Sequence, residues 1–401
     1  MNIMVIGNGG RESALKWKLL ESDRVDRIFS HEDLEGLKTI KDYCDFAKAN
    51  NVDLTIVGSE ELLVDGIVDA FKEEGLVIFG SDKHASMLEG SKAFAKNFMK
   101  KYGVKTPKYG MFNDFDDALK FLKSTMYPIV IKADGLAGGK GVFILDNFIE
   151  AKKTLGDLMC EEVLGDAGRT VIIEEYLKGV EASILSIYDG ERIVPFVSAK
   201  DHKKIGEGET GLNTGGMGVI APNPFVTEKV FEEFEKKILI PTKRGLKSEG
   251  FDFKGVIFFG LMITSNGVYL LEYNMRFGDP ETQAVLPLMQ TELLDVIQDS
   301  LRGELKEIKW KDRHSCCVVL SSSGYPLKYK TGFEINGLED TQSVVFTAGA
   351  KRKDEVLYTS GGRVLGVVGI GESLDEAKER AYEDVGRISF EGMYYRKDIG
   401  C

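Results

Sequence analysis

The sequence predicts an α/β protein of several domains, and three observations support this prediction. The chain has 401 residues, more than one hydrophobic core ordinarily organises. Apolar β-like runs alternate with helical patterns over the first 86 residues or so, as in a doubly wound domain. β structure then restarts at 315–321, after a helical pattern at 291–302. We therefore predict an N-terminal α/β domain over 1–86, a central domain over 87–311 and a small C-terminal α+β domain over 312–401.

Composition narrows the class of protein. The formal charge of −12 argues against general nucleic-acid binding. We find no apolar run long enough to span a bilayer, and residues 1–7 form a short strand rather than a signal peptide. The five cysteines give neither a disulfide framework nor zinc-site spacing. We therefore expect a cytoplasmic protein without nucleic-acid or membrane partners.

The chain opens with a strand, a glycine turn and an amphipathic helix, written NIMVIGNGGRESALKWKLL. Gly9 and Gly10 allow the backbone to approach a phosphate at the start of the helix. The dinucleotide fingerprint needs a third glycine where Glu12 stands, so the match is partial. The segment fits a phosphate site and equally a tight turn that binds nothing.

A second glycine-rich segment, YPIVIKADGLAGGKGVFIL at 127–145, reads as two strands joined by a loop. Bare N–H groups and lysines at the tip predict a lid over phosphates, although a merely mobile hairpin has the same pattern. The preceding helix at 91–102 carries Lys92 near its start, where a lysine gains nothing from the helix dipole. That lysine is either a surface charge or a phosphate ligand.

Two polar connections follow. The strand at 170–177 leads into another at 182–188, and such an extended connection can bind an adenine edge through its backbone, with Glu181 on the ribose. The long loop DHKKIGEGETGLNTGGMG at 201–218 has the length and glycine content of a functional loop. Residues 213–216 are predicted to form a backbone nest for an anion. His202 is either a base or, as is more usual for a loop histidine, a hydrogen-bonding residue.

The stretch YLLEYNMRFGDPETQ at 269–283 carries the strongest chemical pattern. Glu272 and Asn274 are two apart on a predicted strand and therefore share a face. A carboxylate and an amide oxygen suit Mg²⁺ bound together with phosphates. Arg276 lies two positions after Asn274, on the same predicted face, and its guanidinium can hold a phosphoryl group. Asp279 is a predicted N-cap for the next helix. The alternative is a core strand with one paired glutamate.

Together these blocks resemble the phosphoribosylamine–glycine ligase family, whose members are ATP-grasp enzymes of purine biosynthesis. The matching stretches are GNGGRE, LEGSKAFAK, KADGLAGGKGV, IEEYL, DHK…NTGGMG, LEYNMRFGDPETQ, SGGRVLGV and the terminal YYRKDIG. The resemblance implies an ATP-grasp core with a mobile glycine-rich lid subdomain at about 108–180, and a monomer or weak dimer.

The resemblance also implies the ligands and the residues that bind them. ATP as co-substrate is assigned to Lys92, Lys132, Gly138, Gly139, Lys140, Glu174, Glu175, Tyr176, Leu177, Glu181, Lys204 and Asn213. Mg²⁺ or Mn²⁺ is assigned to Glu272 and Asn274. Glycine and 5-phosphoribosylamine are assigned to Gly9, Gly10, Arg11, Asp201, Asn213, Thr214, Gly215, Gly216, Gly278 and Asp279. Catalytic roles fall on Arg276, Lys132 and Asp201.

Three departures from the family pattern stand out. Ser13 replaces a histidine usual in the first helix, and a glycine–asparagine turn is missing around 31–37. Residues 256–264 carry no acid, whereas many ATP-grasp relatives supply a metal ligand there. The rival functions are an ATP-grasp ligase with another substrate pair, a dinucleotide-dependent oxidoreductase built on GNGGRE, and a catalytically inactive binding homologue.

Overall fold

The protein is represented by a computed structural model that describes residues 1–136 and 141–401. The N-terminal elements are β1 (Asn2–Ile6), α1 (Gly10–Leu19), β2 (Arg27–Phe29), α2 (His31–Leu34), α3 (Ile40–Ala49), β3 (Leu54–Val57), α4 (Glu60–Asp65), α5 (Ile67–Glu73) and β4 (Ile78–Phe79). The four strands form a parallel sheet in the order β2-β1-β3-β4. The predicted doubly wound α/β domain is confirmed, and its carboxyl edge carries the loops that follow β1, β2 and β3.

Two helices, α6 (Lys83–Gly90) and α7 (Lys92–Tyr102), lead into a separate antiparallel sheet. Its elements are β5 (Tyr109–Phe112), α8 (Phe115–Ser124), β6 (Ile129–Ala133), β7 (Val142–Leu145), α9 (Phe148–Met159), a 3-10 turn (Gly165–Gly168) and β8 (Val171–Glu175). The strand order is β5-β8-β6-β7, and the predicted hairpin is the β6–β7 pair. This unit, the lid sheet, encloses its own apolar core around Ile131 and Leu155.

The central region continues with a second antiparallel sheet, in the order β10-β9-β15-β16. The elements here are β9 (Val180–Tyr188), β10 (Ile193–Pro195), β11 (Lys200–Asp201), β12 (Lys204–Gly206), β13 (Thr210–Asn213), β14 (Gly218–Ala221), α10 (Glu228–Phe234), a π-helical turn (Glu235–Leu239), α11 (Ile240–Glu249), β15 (Gly255–Thr264), β16 (Gly267–Asn274), α12 (Glu281–Val285), a 3-10 turn (Leu286–Leu288) and α13 (Leu293–Arg302). The predicted pairing of β15 with β16 is confirmed.

The C-terminal elements are β17 (His314–Ser322), a 3-10 turn (Leu338–Asp340), β18 (Val344–Thr347), β19 (Ala350–Lys353), β20 (Val356–Thr359), β21 (Arg363–Gly371), α14 (Leu374–Val385) and β22 (Met393–Tyr394). Their main sheet runs β11-β14-β17-β21-β18, with β22 on β17. Two of its strands, β11 and β14, therefore come from before residue 312. The loop that joins β11 to β14 consequently lies against the C-terminal region.

One apolar cluster joins the three regions, since it contains Ile3 of the first, Phe258 of the second and Val368 of the third. Each of these side chains is at most 5% exposed. A shared core of this kind fixes the N-terminal, central and C-terminal regions to one another. Among the described residues, no helix has the length and apolar character needed to cross a membrane.

Candidate active site

A cavity of about 410 Å³ opens at the carboxyl edge of the N-terminal sheet. Its lining includes Gly7, Asn8, Gly9, Arg11, His31, Tyr43, Ser59 and Glu60. Arg11 is held in its wall by Glu12 Oε1, 2.6 Å from Nε, and donates from Nη1 to the Phe277 carbonyl at 3.0 Å. Gly10 is turned away from the cavity: a Cβ there would stand 2.3 Å from Gln283 Nε2. Gly9 and Arg11 thus face the cavity, whereas Gly10 permits the close approach of α12.

The prediction that Asp279 caps its own helix is wrong. α12 begins at Glu281 without a side-chain cap, and Asp279 Oδ2 instead accepts from the Arg11 N–H at 3.3 Å. The carboxylate therefore caps α1, a helix 268 residues away in sequence. Its other oxygen, Oδ1, accepts from Gln283 at 2.9 Å and pairs with Arg363 at 3.1 Å. Asp279 thereby connects all three regions of the chain.

Arg276 is fixed by the neighbouring helices. Its Nη2 lies 3.0 Å from Glu89 Oε1, and the second oxygen of Glu89 accepts from the Met275 N–H at 2.7 Å. Glu89 is 9% exposed, and α6 presents it to the end of β16. Burial raises the pKa of Glu89, while the Arg276 charge opposes that rise. The guanidinium is therefore held in one place beside the strand that carries Glu272.

Glu272 and Asn274 lie at the carboxyl end of β16, as predicted. Burial alone would raise the pKa of Glu272, but four cations outweigh it and hold the pKa below the ordinary value; they are Lys203, Lys132, Lys92 and Arg276. The Asn274 amide is satisfied when its nitrogen donates to Tyr273 O and Glu89 Oε1, each at 3.2 Å, which leaves its oxygen as an acceptor. An ionised carboxylate and a free amide oxygen fit a hard divalent cation.

The residue opposite Glu272 explains the missing acid of β15. Gly260 pairs with Glu272 across the two strands, and a Cβ on it would meet Glu272 Cγ at 3.1 Å. The described residues bring no group of three His, Cys, Asp or Glu side chains together for a metal. Phosphate oxygens and water are therefore needed to complete the coordination of a cation held by Glu272 and Asn274.

Lys132 is part of a buried ion-pair triad. Glu174 Oε2 lies 3.0 Å from Lys132 Nζ, and its Oε1 lies 2.8 Å from Lys96 Nζ. All three side chains are less than a tenth exposed. Because both carboxylate oxygens of Glu174 face lysines, this residue orients Lys132 rather than presenting a free carboxylate to a nucleotide. Sequence reasoning missed Lys96, whose only local signal is its place in LEGSKAFAK.

The base of the lid sheet is tied to α7. Lys92 Nζ donates to the Gly135 carbonyl at 3.2 Å, and Asp134 Oδ1 accepts from Ser91 Oγ and from the Ala93 N–H, both at 3.0 Å. The predicted phosphate contacts Gly138, Gly139 and Lys140 lie outside the described residues. Of the predicted hinge residues beyond Glu174, Glu175 accepts from the Lys108 N–H at 2.8 Å, Tyr176 is exposed and Leu177 half-buried.

Asp201 is the first acid of a cluster in front of β9. Burial, and next the charge of Glu281, raise the pKa of Asp201 well above its ordinary value. Glu281 is 4% exposed and accepts from Ser183 Oγ at 3.2 Å. Lys203 turns toward this cluster, with its Nζ 2.9 Å from Glu181 Oε2, while Lys204, which the resemblance assigns to ATP, pairs with Asn213 in the β12–β13 hairpin. The nearby charge of Glu181 raises the pKa of Lys203.

The prediction of an anion nest at 213–216 is wrong, because the N–H groups there already have acceptors in the protein. Thr214 N donates to Lys203 O at 2.8 Å, Gly215 N to Tyr325 Oη at 2.9 Å and Gly216 N to Thr214 Oγ1 at 2.9 Å. The exposed Asn213 ends β13, where it pairs with Lys204. The loop is consequently a rigid wall beside Asp201.

The C-terminal region contributes Arg363 to this wall. Arg363 Nη1 donates to Gly215 O at 2.6 Å and to Asp279 O at 2.9 Å. Gly278 and Asp279, two predicted substrate residues, are thereby held against the loop. The signal that sequence reasoning left unused is the arginine within SGGRVLGV.

His202 takes the structural alternative of the two that the sequence allowed. It is 1% exposed; Nδ1 lies 3.2 Å from Gly218 O, and Nε2 accepts from the Gly400 N–H at 3.2 Å. Burial lowers its pKa to about 4, so the ring is neutral. Ser13, the first of the departures noted in the sequence, accepts from the Thr347 N–H at 3.2 Å.

Comparison with known protein families matches three successive parts of the chain to the three domains of one family. Profiles of the phosphoribosylglycinamide synthetase N domain, ATP-grasp (A) domain and C domain match residues 1–89, 90–282 and 315–401. The phosphoribosylamine–glycine ligase of Fusobacterium nucleatum is 56% identical over 418 residues, covering 100% of this chain and 98% of that protein. That of Clostridium acetobutylicum is 52% identical over 413 residues, covering 100% and 99%.

A solved structure gives the same result. The crystal structure of phosphoribosylamine–glycine ligase from Thermotoga maritima is similar with a TM-score of 0.84 and 32% identity, and each chain is covered to 100%. The resemblance found in the sequence is therefore confirmed over the whole chain. This chain belongs to the phosphoribosylglycinamide synthetase family, the family of the phosphoribosylamine–glycine ligases.

Proposed function

We propose that the chain joins glycine to 5-phosphoribosylamine with ATP, giving glycinamide ribonucleotide, ADP and phosphate, a step of purine biosynthesis. The observation that carries the proposal is the full-length family match with all three domains in order. Fold alone would not suffice, because ATP-grasp folds host several activities. We also propose that it works in the cytoplasm as a monomer or weak dimer, with Mg²⁺ or Mn²⁺.

The proposed reaction has two steps. A glycine carboxylate oxygen attacks the γ-phosphorus of ATP, the bond to the bridging oxygen breaks, and ADP leaves with that electron pair. The amine nitrogen of phosphoribosylamine then attacks the carbonyl carbon of glycyl phosphate. Phosphate departs, and the nitrogen loses a proton to give the amide. Neither step needs a protein nucleophile, so the chain supplies position, charge and exclusion of water.

Three cations are proposed to act on the phosphoryl group in transfer. Lys132 is oriented by Glu174, Lys92 reaches the base of the lid, and Arg276 is fixed by Glu89. Each is fixed by protein contacts before substrates arrive, so little reorganisation is needed as charge develops. Glu272 and Asn274 would hold the divalent ion, which when bound neutralises phosphate charge.

Asp201 is proposed to accept the proton that the attacking amine loses. Its raised pKa, caused by burial and by Glu281, makes it a stronger base than an exposed aspartate. The wall at 213–216 and Gly278–Asp279 would confine glycine beside it, while Gly9 and Arg11 would face the phosphoribosyl group in the N-terminal cavity. The amine would therefore approach from the side of α1.

The proposed function is tested by measuring ADP release with Mg²⁺ while glycine and phosphoribosylamine are omitted in turn, the amine being generated from ribose 5-phosphate and ammonia. Release that requires both substrates supports the ligase. Release with neither, or with another acid or amine from a panel, would overturn the substrate assignment and leave an ATP-grasp ligase of another specificity.

A separate substitution tests the proposed metal-binding role of Glu272. Glu272→Gln keeps the shape of the side chain but removes its charge, so we expect it to abolish most turnover and to raise the Mg²⁺ concentration needed for half-maximal rate. Glu307→Gln, an exposed residue with the same charge change, serves as control. Near-normal activity of Glu272→Gln at saturating Mg²⁺ would contradict the assignment.

A further inference from the structure

Glu60 lies at the carboxyl edge of the N-terminal sheet, at the connection from β3 to α4. It is the first residue of α4, and Ser59 is the N-cap residue of that helix. Its carboxylate lines the cavity described above and its side chain is 34% exposed. Neither the sequence patterns nor the proposed mechanism gave this residue a role.

One oxygen of Glu60 lies between two arginines that belong to different parts of the site. Oε2 is 3.7 Å from Arg11 Nη2, in the cavity wall, and 3.6 Å from Arg276 Nε, beside the metal ligands. Both guanidinium groups also donate to one carbonyl oxygen, that of Phe277, at 3.0 and 3.3 Å. Two like charges therefore meet at Phe277, and Glu60 supplies negative charge between them.

The contact of Glu60 with Arg276 Nε is too long to be a hydrogen bond and leaves that nitrogen unpaired among the described residues. This N–H is buried and has no hydrogen-bond partner among residues 1–136 and 141–401. Buried N–H groups are nearly always paired in folded proteins. An N–H···O bond has its heavy atoms about 2.9 Å apart. Because Oε2 now lies at 3.6 Å, a shift of well under one ångström toward Arg276 would complete the bond.

We propose that Glu60 is a positioning residue that couples the cavity to the phosphoryl-transfer centre. The inference rests on the proposed function, which puts a sugar phosphate in the cavity and the acyl phosphate at Arg276. A sugar phosphate in the cavity supplies its own acceptors to Arg11 and removes water from Glu60. Glu60 then transfers its interaction from Arg11 to Arg276 Nε, because exclusion of water strengthens that attraction.

The consequence is a linkage between two binding events. With the cavity filled, Arg276 keeps Glu89 as the partner of Nη2 and gains Glu60 as the partner of Nε, which restricts the orientation of the guanidinium toward the phosphates further. The amine substrate thereby favours the arrangement that transfers a phosphoryl group, and formation of glycyl phosphate is suppressed when no amine is present to use it. Linkage is reciprocal, so ligands at the ATP site strengthen sugar-phosphate binding by the same factor.

The test uses ribose 5-phosphate as the cavity probe and adenylyl imidodiphosphate with Mg²⁺ as the ATP-site probe, with affinities measured by calorimetry. In the native chain we expect saturating ribose 5-phosphate to tighten nucleotide binding by about fivefold or more. Glu60→Gln should reduce this factor below about twofold. Glu73→Gln, which removes the same charge from an exposed residue of α5 that does not line the cavity, should retain it.

A second readout is the ratio of ADP released to amide formed, which we expect to rise in Glu60→Gln and to stay unchanged in Glu73→Gln. If Glu60→Gln does not fold, Glu60→Asp withdraws the carboxylate by about 1.5 Å and should weaken the coupling in the same direction. A native linkage factor kept in Glu60→Gln or Glu60→Asp, or no linkage in the native chain although ribose 5-phosphate binds, would overturn the inference alone. Failure of ribose 5-phosphate to bind would overturn it together with the cavity assignment.

Discussion

The buried triad of Lys96, Glu174 and Lys132 makes Glu174→Gln the most informative substitution for stability. Glutamine keeps the shape of the side chain, but both lysines then lose their negative partner at 2.8 and 3.0 Å. Breaking a buried pair from one side typically costs about 3–5 kcal/mol, because a charge is left uncompensated in the interior. We expect this loss to fall on the lid sheet, since Lys132 and Glu174 lie on its adjacent strands β6 and β8.

Hydrogen exchange of the amides in β6 and β8 measures this loss locally. One power of ten in protection corresponds to about 1.4 kcal/mol, so protection should fall by roughly two to three and a half powers of ten. Glu161→Gln is the matched control, because Glu161 is exposed in the same unit. A fall of less than tenfold, or equal effects of the two variants, would show that Glu174 is not the stabilising counter-charge.

The same variant has a pH signature. Burial already lowers the pKa of Lys96 to about 8, against the opposing effect of Glu174. An unfolded chain keeps the ordinary value of 10.5, so it binds more protons between pH 8 and 10.5, and stability from this group rises with pH in that window. Removing Glu174 should lower the pKa of Lys96 further and extend the window toward neutral pH. An NMR titration of the Lys96 ε-carbon checks the direction.

Three further predictions concern contacts between the 201–218 loop and the C-terminal region. His202 has a pKa of about 4 when folded and 6.5 when unfolded, so its contribution is complete above pH 6.5 and is lost as pH falls to 4. The free energy of unfolding, measured by urea titration, should therefore lose about 3 kcal/mol from this group over that range. A His202→Gln variant whose free energy of unfolding keeps the native dependence on pH would contradict the prediction. Arg363→Met should lower kcat/KM for glycine by about 10- to 150-fold, since charged hydrogen bonds contribute about 1.5–3 kcal/mol; the exposed Arg352→Met is its control, and equal rates would refute the role. Arg396, 1% exposed, pairs with Glu209 and Asp398 and donates to Lys204 O. Arg396→Met should therefore speed hydrogen exchange in the β12–β13 hairpin alone, unlike Lys397→Met, and an unchanged hairpin would count against the contact.

Local signals made much of the fold predictable. The β6–β7 hairpin follows from two apolar strands on either side of a glycine-rich segment, and the β15–β16 hairpin from two apolar strands with a polar turn between them; each is predicted from a window of about twenty residues. The helix α7 begins at the predicted place because Ser91 accepts from the Phe94 N–H at 3.0 Å. The shared face of Glu272 and Asn274 needed only strand periodicity.

The errors have a common physical origin in contacts between residues far apart in sequence. The acceptor role of Asp279 toward α1 and the approach of Arg363 to Gly215 join residues 268 and 148 positions apart, which no local spacing encodes. Lys203 carries no local signal either, because its pairing with Glu181 depends on how the segment after β11 packs against β9. The predicted nest does not form because Tyr325 Oη, 110 positions later in the chain, accepts the hydrogen bond of the Gly215 N–H.

The contacts also indicate which part of the molecule moves during a catalytic cycle. The segment from Met275 to Asp279 bonds to Glu89, to Arg11 and to Arg363, so one short stretch ties the N-terminal, central and C-terminal regions together. These regions also share one apolar core, whereas the lid sheet has a core of its own. Moving the three regions apart would break their shared apolar core, whereas tilting the lid sheet would leave both cores intact and would turn about its base, where Glu174 pairs with Lys96 of α7. Closure over substrates is therefore expected in the lid sheet, whose Lys132 already donates to the Leu271 carbonyl of β16 at 3.3 Å.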